Sequence, residues 1–370
     1  MSYDVAIVGV GPGRDISISG RTHSWGYKHA EAYRDRDDCT LVAAADLEEA
    51  YLDRFGSAFG VGADGLFTDH VAMLETVQPD VVSVCTPIPA HEPIVVDCAS
   101  AGVPAVHCEK PMAGTWAEAR GMAQMCERTG TQLTFGHQRR FAPPFRLAKE
   151  RLDEGVIGQL QRIEISWGNF FDNGTHVVDL AGMFVDDVPA DWVMGQIDYT
   201  LDHVRYGVPT ADHAFMTWRY ANGVQVVLAT GDDVNLTGGP FDFYDCWHRL
   251  IGEEGVIEVG RLDGPPVRIR RDGEGWSIPD VEPTFEGSVA AGIDDMLGWL
   301  AGGPPSQLRA THALQTTEIL FAGHEPARRR GRVELPLAGV YDHPLVTMLE
   351  QGEIVPERSD ERPPHPAERD

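Results

Sequence analysis

The chain has almost no lysine. Its 370 residues carry 30 Lys plus Arg, and only Lys28, Lys110 and Lys149 are lysines. The other 27 (30 minus 3) are arginines, and 57 acidic side chains bring the formal net charge to −27. That shortage of positive charge excludes nucleic acid and anionic membrane as partners, because both would repel the chain. Dense carboxylate with so little lysine also reads as a surface adapted to high salt, where ions screen the repulsion. Long apolar runs are missing: no stretch reaches the roughly 18 uncharged apolar residues of a transmembrane helix. The chain enters a strand at once, Tyr3 to Gly9, with neither the basic nor the apolar region of a secretory signal, so the cytoplasm is the expected location. Cysteine is scarce. Cys39, Cys85, Cys98, Cys108, Cys126 and Cys246 include no C-x-x-C pair, so the ligand spacing of a structural zinc site is absent. They read as buried thiols, and no metal is expected.

What is present alternates. Asp4 to Gly9 is a short apolar run closed by glycine, the pattern of a buried parallel strand. Helical and apolar segments then take turns: helix 47–55, helix 71–77, strand 79–85, helix 93–101, strand 103–108, helix 116–128 and strand 132–135. Such alternation predicts a parallel sheet covered on both faces, a dinucleotide-binding domain over residues 1–136. After Gly136 the texture changes. Strand-like runs dominate (160–167, 192–198, 214–220, 224–230, 247–251, 256–259), with Ala221-Asn222-Gly223 as a hairpin turn. Helices at 145–154, 289–300 and 310–322 would cover that sheet or return toward the first domain. The fold class is therefore α/β: a Rossmann domain plus an α+β domain, residues 137–345, with a large mixed, mostly antiparallel sheet. Residues 346–370, charged and proline-rich, read as a flexible tail. No internal repeat is visible.

Three stretches carry chemistry. The first is Gly9-Val10-Gly11-Pro12-Gly13-Arg14. A dinucleotide fingerprint asks for G-x-G-x-x-G, and Arg14 breaks it. A longer loop restores it if Gly26, at the start of the helix that includes Tyr27 to Tyr33, is the third glycine; residues 12–25 then number 14 where two are usual. Asp46 lies 20 residues after Gly26 at the end of an apolar run, about where an acid meets the ribose hydroxyls. An acid there favours NAD over NADP, whose 2′-phosphate it would repel, although Asp46 could equally cap the next helix. The second stretch is Cys108-Glu109-Lys110-Pro111. Lys110 closes a buried strand, at the end where open α/β sheets bind ligands. Lysine, unlike arginine, can lose its proton on burial. The third is Asp172-Asn173-Gly174-Thr175-His176-Val177-Val178-Asp179. With a helix from about Thr175, Asp172 and Asp179 would fall four and three residues from His176 on one edge. A histidine beside a carboxylate suits proton transfer with an alcohol.

In this order, together with Gly136-His137-Gln138-Arg139-Arg140-Phe141, these stretches resemble the Gfo/Idh/MocA family of glucose–fructose oxidoreductases and inositol 2-dehydrogenases, over roughly residues 3–337. The resemblance implies hydride transfer between a nicotinamide cofactor and a sugar, polyol or inositol hydroxyl. It assigns Lys110, His176 and Asp172 to catalysis. Cofactor contacts fall to Gly9, Gly11, Gly26, Asp46, Thr86, Pro87, His91, Glu109 and Lys110, and substrate contacts to Arg139, Asn173 and Asp179. It also implies a homo-oligomer. The chain departs from the pattern in the lengthened glycine loop, in Gln138 where asparagine is common, and in a short segment, Gly168 to Phe171, before Asp172. That last departure leaves the pocket either wider or filled by another element. Two rival functions keep the same residues: transient oxidation by retained NAD during glycosidic cleavage, and a sugar or nucleotide sensor without turnover.

Overall fold

A computed structural model describes residues 2–11, 25–167, 169–211, 213–231, 247–260 and 264–359. The first sheet is built from β1 (Tyr3–Val8), β2 (Cys39–Ala45), β3 (Leu66–Phe67), β4 (Val81–Val84), β5 (Ala105–Cys108) and β6 (Gln132–Phe135). All its pairings are parallel, in the order β3-β2-β1-β4-β5-β6. Between them run α1 (Trp25–Arg34), α2 (Glu49–Phe59), α3 (His70–Val77), α4 (His91–Ser100) and α5 (Trp116–Thr129). β4 and β5 are buried at every position, as strands covered on both faces must be. Local chemistry sets the ends. Thr115 and Glu118 form a capping box at the start of α5, Asp69 caps α3, and α2 stops at Gly60 in a left-handed conformation.

The second domain starts with α6 (Pro143–Asp153) and β7 (Leu160–Trp167), followed by α7 (Gly174–Phe184) and β8 (Ala190–Asp198). Three short strands follow, β9 (Leu201–Asp202), β10 (Val204–Arg205) and β11 (Val208–Pro209). The long strands resume with β12 (His213–Tyr220), β13 (Gln225–Thr230), β14 (Trp247–Gly252), β15 (Gly255–Val259) and β16 (Val267–Arg271). The chain closes with α8 (Ser288–Leu300), α9 (Ala310–Arg329), β17 (Val333–Glu334), α10 (Pro344–Glu350) and β18 (Arg358–Ser359). The large sheet runs β16-β15-β14-β7-β13-β12-β8-β17. Among the described residues its pairings are antiparallel except β13 with β7. β12 alternates strictly, burying Ala214, Met216, Trp218 and Tyr220 on the helix-covered side.

Several expectations needed correction. β16 and β17 were not anticipated. β16 alternates Val and Ile with Arg, a strand pattern hidden by its charge. The first sheet ends with β6 at Phe135, but the core it belongs to does not end there. α8 returns to the first domain, where Ile293, Met296 and Leu297 pack with Val5, Ile7, Ala30 and Phe55. The Leu308 carbonyl then accepts the Phe135 N–H at 2.9 Å, on the edge of β6. Residues 360–370 lie outside the described residues, and the boundary of the tail does not fall at 346. That position lies inside α10, which buries Pro344, Leu345 and Met348, and β18 pairs with β9 beyond it. The apolar run Leu345-Val346-Thr347-Met348-Leu349 supplies the burial that a disordered segment lacks. Of the cysteines, Cys98, Cys108 and Cys126 are buried and Cys39 and Cys85 are half-buried; Cys246 falls outside the described residues. Among the described residues, no helix is long and apolar enough to cross a membrane.

Candidate active site

Gly9 leaves β1 with φ +89, a conformation that L side chains rarely adopt. A Cβ on Gly26 would stand 2.4 Å from the Gly9 carbonyl oxygen, so only glycine lets the first turn of α1 close onto the loop. Close packing of this kind is what a dinucleotide fingerprint asks of its third glycine. Residues 12–24 of the insertion lie outside the described residues. Asp46 does not cap α2, whose N-cap is Glu48. Its Oδ2 turns back to accept the N–H groups of Val10 and Gly11, both at 2.8 Å, while Oδ1 accepts the Glu48 N–H at 3.2 Å just ahead of the helix. The acid therefore ties the end of β2 to the glycine loop.

On the next strand end, the Thr86 hydroxyl is buried without a hydrogen-bond partner among the described residues, and Pro87 is exposed. His91 does not reach the cleft. Its ring is buried, with Nδ1 3.0 Å from the Pro111 carbonyl and Nε2 2.9 Å from the Thr86 carbonyl. It braces the turn after β4 against the turn after β5. Glu109 is likewise withdrawn from the cleft. Its Oε1 lies 3.0 Å from Nε2 of His29 on α1, whose Nδ1 contacts Ser83 at 3.1 Å. Burial alone would raise the Glu109 carboxyl; the His29 hydrogen bond and the nearby Lys110 charge outweigh it and hold it below the usual value. Both residues support the cofactor cleft from beneath.

Lys110 does enter the cleft. Its Nζ donates to Asp172 Oδ1 at 2.7 Å, with both side chains largely buried. Asp172 precedes α7 rather than lying on it, so the expected shared edge with His176 does not form. The carboxylate goes to the lysine of the other domain. His176 is buried in the first turn of α7, and its Nδ1 has no hydrogen-bond partner among the described residues. Burial, then the charges of Arg139 and Lys110, push its pKa well below the ordinary value of 6.5, so the ring is neutral and can accept a proton. Arg139 stacks over Phe285, its guanidinium 4.9 Å from the ring centre. Asn173, at the start of α7, is half-buried, with its N–H on Asn169 Oδ1 at 3.0 Å.

Asp179 cannot serve substrate. It is 1% exposed, and both its oxygens receive Arg140, at 2.7 and 2.8 Å. Arg140 also binds Asp187, and His137 reaches Asp179 at 3.5 Å and Thr175 at 2.9 Å. The His137 ring then meets that of His176 edge-on at 6.0 Å. This buried frame was not foreseen as such, although the two arginines and the histidine before them were part of the sequence pattern. Its residues come from the segment after β6, from α7 and from the turn after α7.

The cleft fits a nicotinamide dinucleotide on its own terms: a glycine cradle, an acid at the ribose end and an unpartnered buried hydroxyl at the other end. Residues 4–137 match the model of an oxidoreductase family with an NAD-binding Rossmann fold. Over 88% of its length the chain is 33% identical to the D-apiose dehydrogenase of Paraburkholderia graminis, 91% of which is covered. The chain belongs to the Gfo/Idh/MocA family of NAD-binding oxidoreductases. Its similarity to the inositol 2-dehydrogenase of Rhizobium meliloti is 27% identity over 70% of this chain and 79% of that one. Among solved structures, an oxidoreductase from Agrobacterium radiobacter, in complex with NAD+, L-tartaric acid and magnesium, matches with a TM-score of 0.74 at 19% identity. It covers 90% of this chain and 98% of that chain. The WlbA dehydrogenase of Bordetella pertussis, in complex with NADH and UDP-GlcNAcA, matches at 0.72 with 20% identity, covering 91% of this chain and 100% of that one. At those identities the structural likeness speaks for the fold alone.

Proposed function

We propose that this family member is a dehydrogenase that oxidises a secondary alcohol or hemiacetal carbon of a sugar, polyol or inositol. NAD, when bound, supplies the hydride acceptor. The observation that carries the reading is the meeting of Lys110 and Asp172 across the domain junction, at 2.7 Å, beside the neutral His176. His176 takes the proton of the reacting hydroxyl. Lys110 donates a hydrogen bond to the same oxygen and steadies the charge that develops there. Asp172 holds the lysine in place. Gly9, Gly11, Gly26, Asp46, Thr86 and Pro87 would hold the dinucleotide, with Glu109 and His91 behind them. Arg139 and Asn173 remain the candidate substrate contacts. The names of the relatives support a carbohydrate or polyol substrate, and the acid at position 46 supports NAD over NADP.

The decisive test is NADH formation in high salt with NAD and a panel of sugars, polyols and inositols. A signal with one substrate class is the expected result. Silence across the panel, with NAD binding shown by a thermal shift, would overturn the dehydrogenase and favour transient redox or a sensor. The reading includes self-association. Met194 and Phe215, on neighbouring strands of the large sheet, are 47% and 55% exposed, an apolar surface that a second copy would cover. Light scattering on the purified chain is expected to give at least a dimer; a monomer at micromolar concentration would reject that part.

A further inference from the structure

The departure before Asp172 leaves a place for another element, and the structure fills it with the hairpin β10–β11. The hairpin pairs Val204 with Pro209 and Arg205 with Val208, and its two-residue turn is Tyr206-Gly207. Both turn residues have positive φ, +47 for Tyr206 and +86 for Gly207. Such turns ordinarily take Asn-Gly or Asp-Gly, because a bulky side chain is strained there. A tyrosine held in this conformation needs a reason, and its surroundings supply one. The ring is half-buried, and Lys110 Nζ lies 5.9 Å from its centre. At the base of the hairpin, Phe170 and Phe171 donate their N–H groups to the Ala211 carbonyl at 3.2 Å and to Thr210 Oγ1 at 3.3 Å. At its tip, a Cβ on Gly207 would stand 3.1 Å from Pro89 of the opposite domain, and Val208 is buried. The hairpin is thus a fixed wall joining the segment before Asp172 to the turn beyond Thr86.

We propose that Tyr206 determines substrate specificity: its ring is a platform for the C–H face of one sugar or inositol ring whose hydroxyl Lys110 engages. This rests on the dehydrogenase reading above. Rigid aromatic walls orient ligands at little entropic cost. On this proposal, a substrate with a second ring on this side would meet the hairpin tip, which lies close to Pro89. A free monocyclic polyol is therefore the expected substrate in preference to a glycoside.

Tyr206→Asn tests this and suits the turn, since asparagine tolerates positive φ better than tyrosine. With the best substrate from the panel, KM is expected to rise by about tenfold or more, while kcat stays within about threefold. The NAD dissociation constant stays unchanged, and methyl and phenyl glycosides gain in relative kcat/KM. Tyr206→Phe keeps the ring and should behave like the native enzyme. An unchanged KM and substrate profile in Tyr206→Asn would overturn the proposal, and so would a fall in kcat alone. If the native enzyme turns over none of the panel, the dehydrogenase reading fails first; if it does and Tyr206→Asn matches it, only this inference fails.

Discussion

Lys110 and Asp172 are 62 residues apart, in different domains, and meet at 2.7 Å. A contact of that kind is worth little in water and much more in a cleft that excludes it. On the proposed mechanism, replacing Lys110 by alanine removes a hydrogen bond to the reacting oxygen, and it also removes one partner of Asp172. Turnover should fall by about 10²-fold or more, the usual worth of acid–base assistance, with NAD affinity nearly kept. Near-normal turnover in the variant would sink the assignment. His176 gives a second prediction. Its folded pKa lies well below 6.5, and the proton acceptor must be neutral, so kcat/KM should hold down to pH 6.5 and fall only at lower pH. An acid limb above 6.5 would belong to another group. Arg140 is a third case. Losing it leaves the Asp179 and Asp187 carboxylates without their main partner, and Asp179 is fully buried. Arg140→Met should cost about 3–5 kcal/mol, measured by urea unfolding; a cost below about 1 kcal/mol would mean that the frame does not support the fold.

At the scale of elements, the strand ends do the positioning. β1, β4 and β5 all deliver their C-terminal residues to one edge of the parallel sheet, so Gly9, Thr86 and Lys110 share a crevice although the sequence separates them. α1 is held against Gly9 by the absence of a side chain at position 26. Gly26→Ala would push the helix off the loop, and NAD binding by calorimetry should weaken by about tenfold or more, the loss of one well-placed contact. Unaltered affinity would show that the loop relaxes without loss. Most elements were legible in the sequence because their apolar periods are clear: four- to seven-residue runs for strands and 3.6-residue spacing for helices. β16 was not, because arginines occupy its outer positions. α10 was not, because proline and charge surround its short apolar core.

Over the whole molecule, buried histidines set the response to acid. Burial lowers the pKa of His91, His137, His176 and His343, with His107 brought to about 3 and His324 to about 4. Unfolding restores values near 6.5, so below that pH the unfolded chain binds the extra protons. Stability is therefore fully present above 6.5 and declines as pH falls toward the folded values, by about 1.4 kcal/mol per pH unit for each such histidine. The unfolding temperature should drop steeply between pH 6.5 and 5; a flat profile would mean that the rings charge without unfolding. The net charge of −27 gives the other expectation, that unfolding temperature rises from low to multimolar KCl as repulsion is screened. No response to salt would set aside the high-salt reading.

The sequence by itself determined the two-domain α/β plan, and it singled out as candidates the glycine at position 26, the acid at position 46 and the three residues Lys110, Asp172 and His176. Each of those follows from local pattern: apolar period, residue type and spacing along the chain. Only the tertiary structure decided which partners they have. It sent Asp172 to Lys110 instead of His176, gave Asp179 to Arg140, withdrew His91 and Glu109 beneath the cleft, returned α8 to the first domain and set Tyr206 over the lysine. Those outcomes depend on contacts between residues far apart in the chain, and spacing along a sequence does not encode distance across a domain junction.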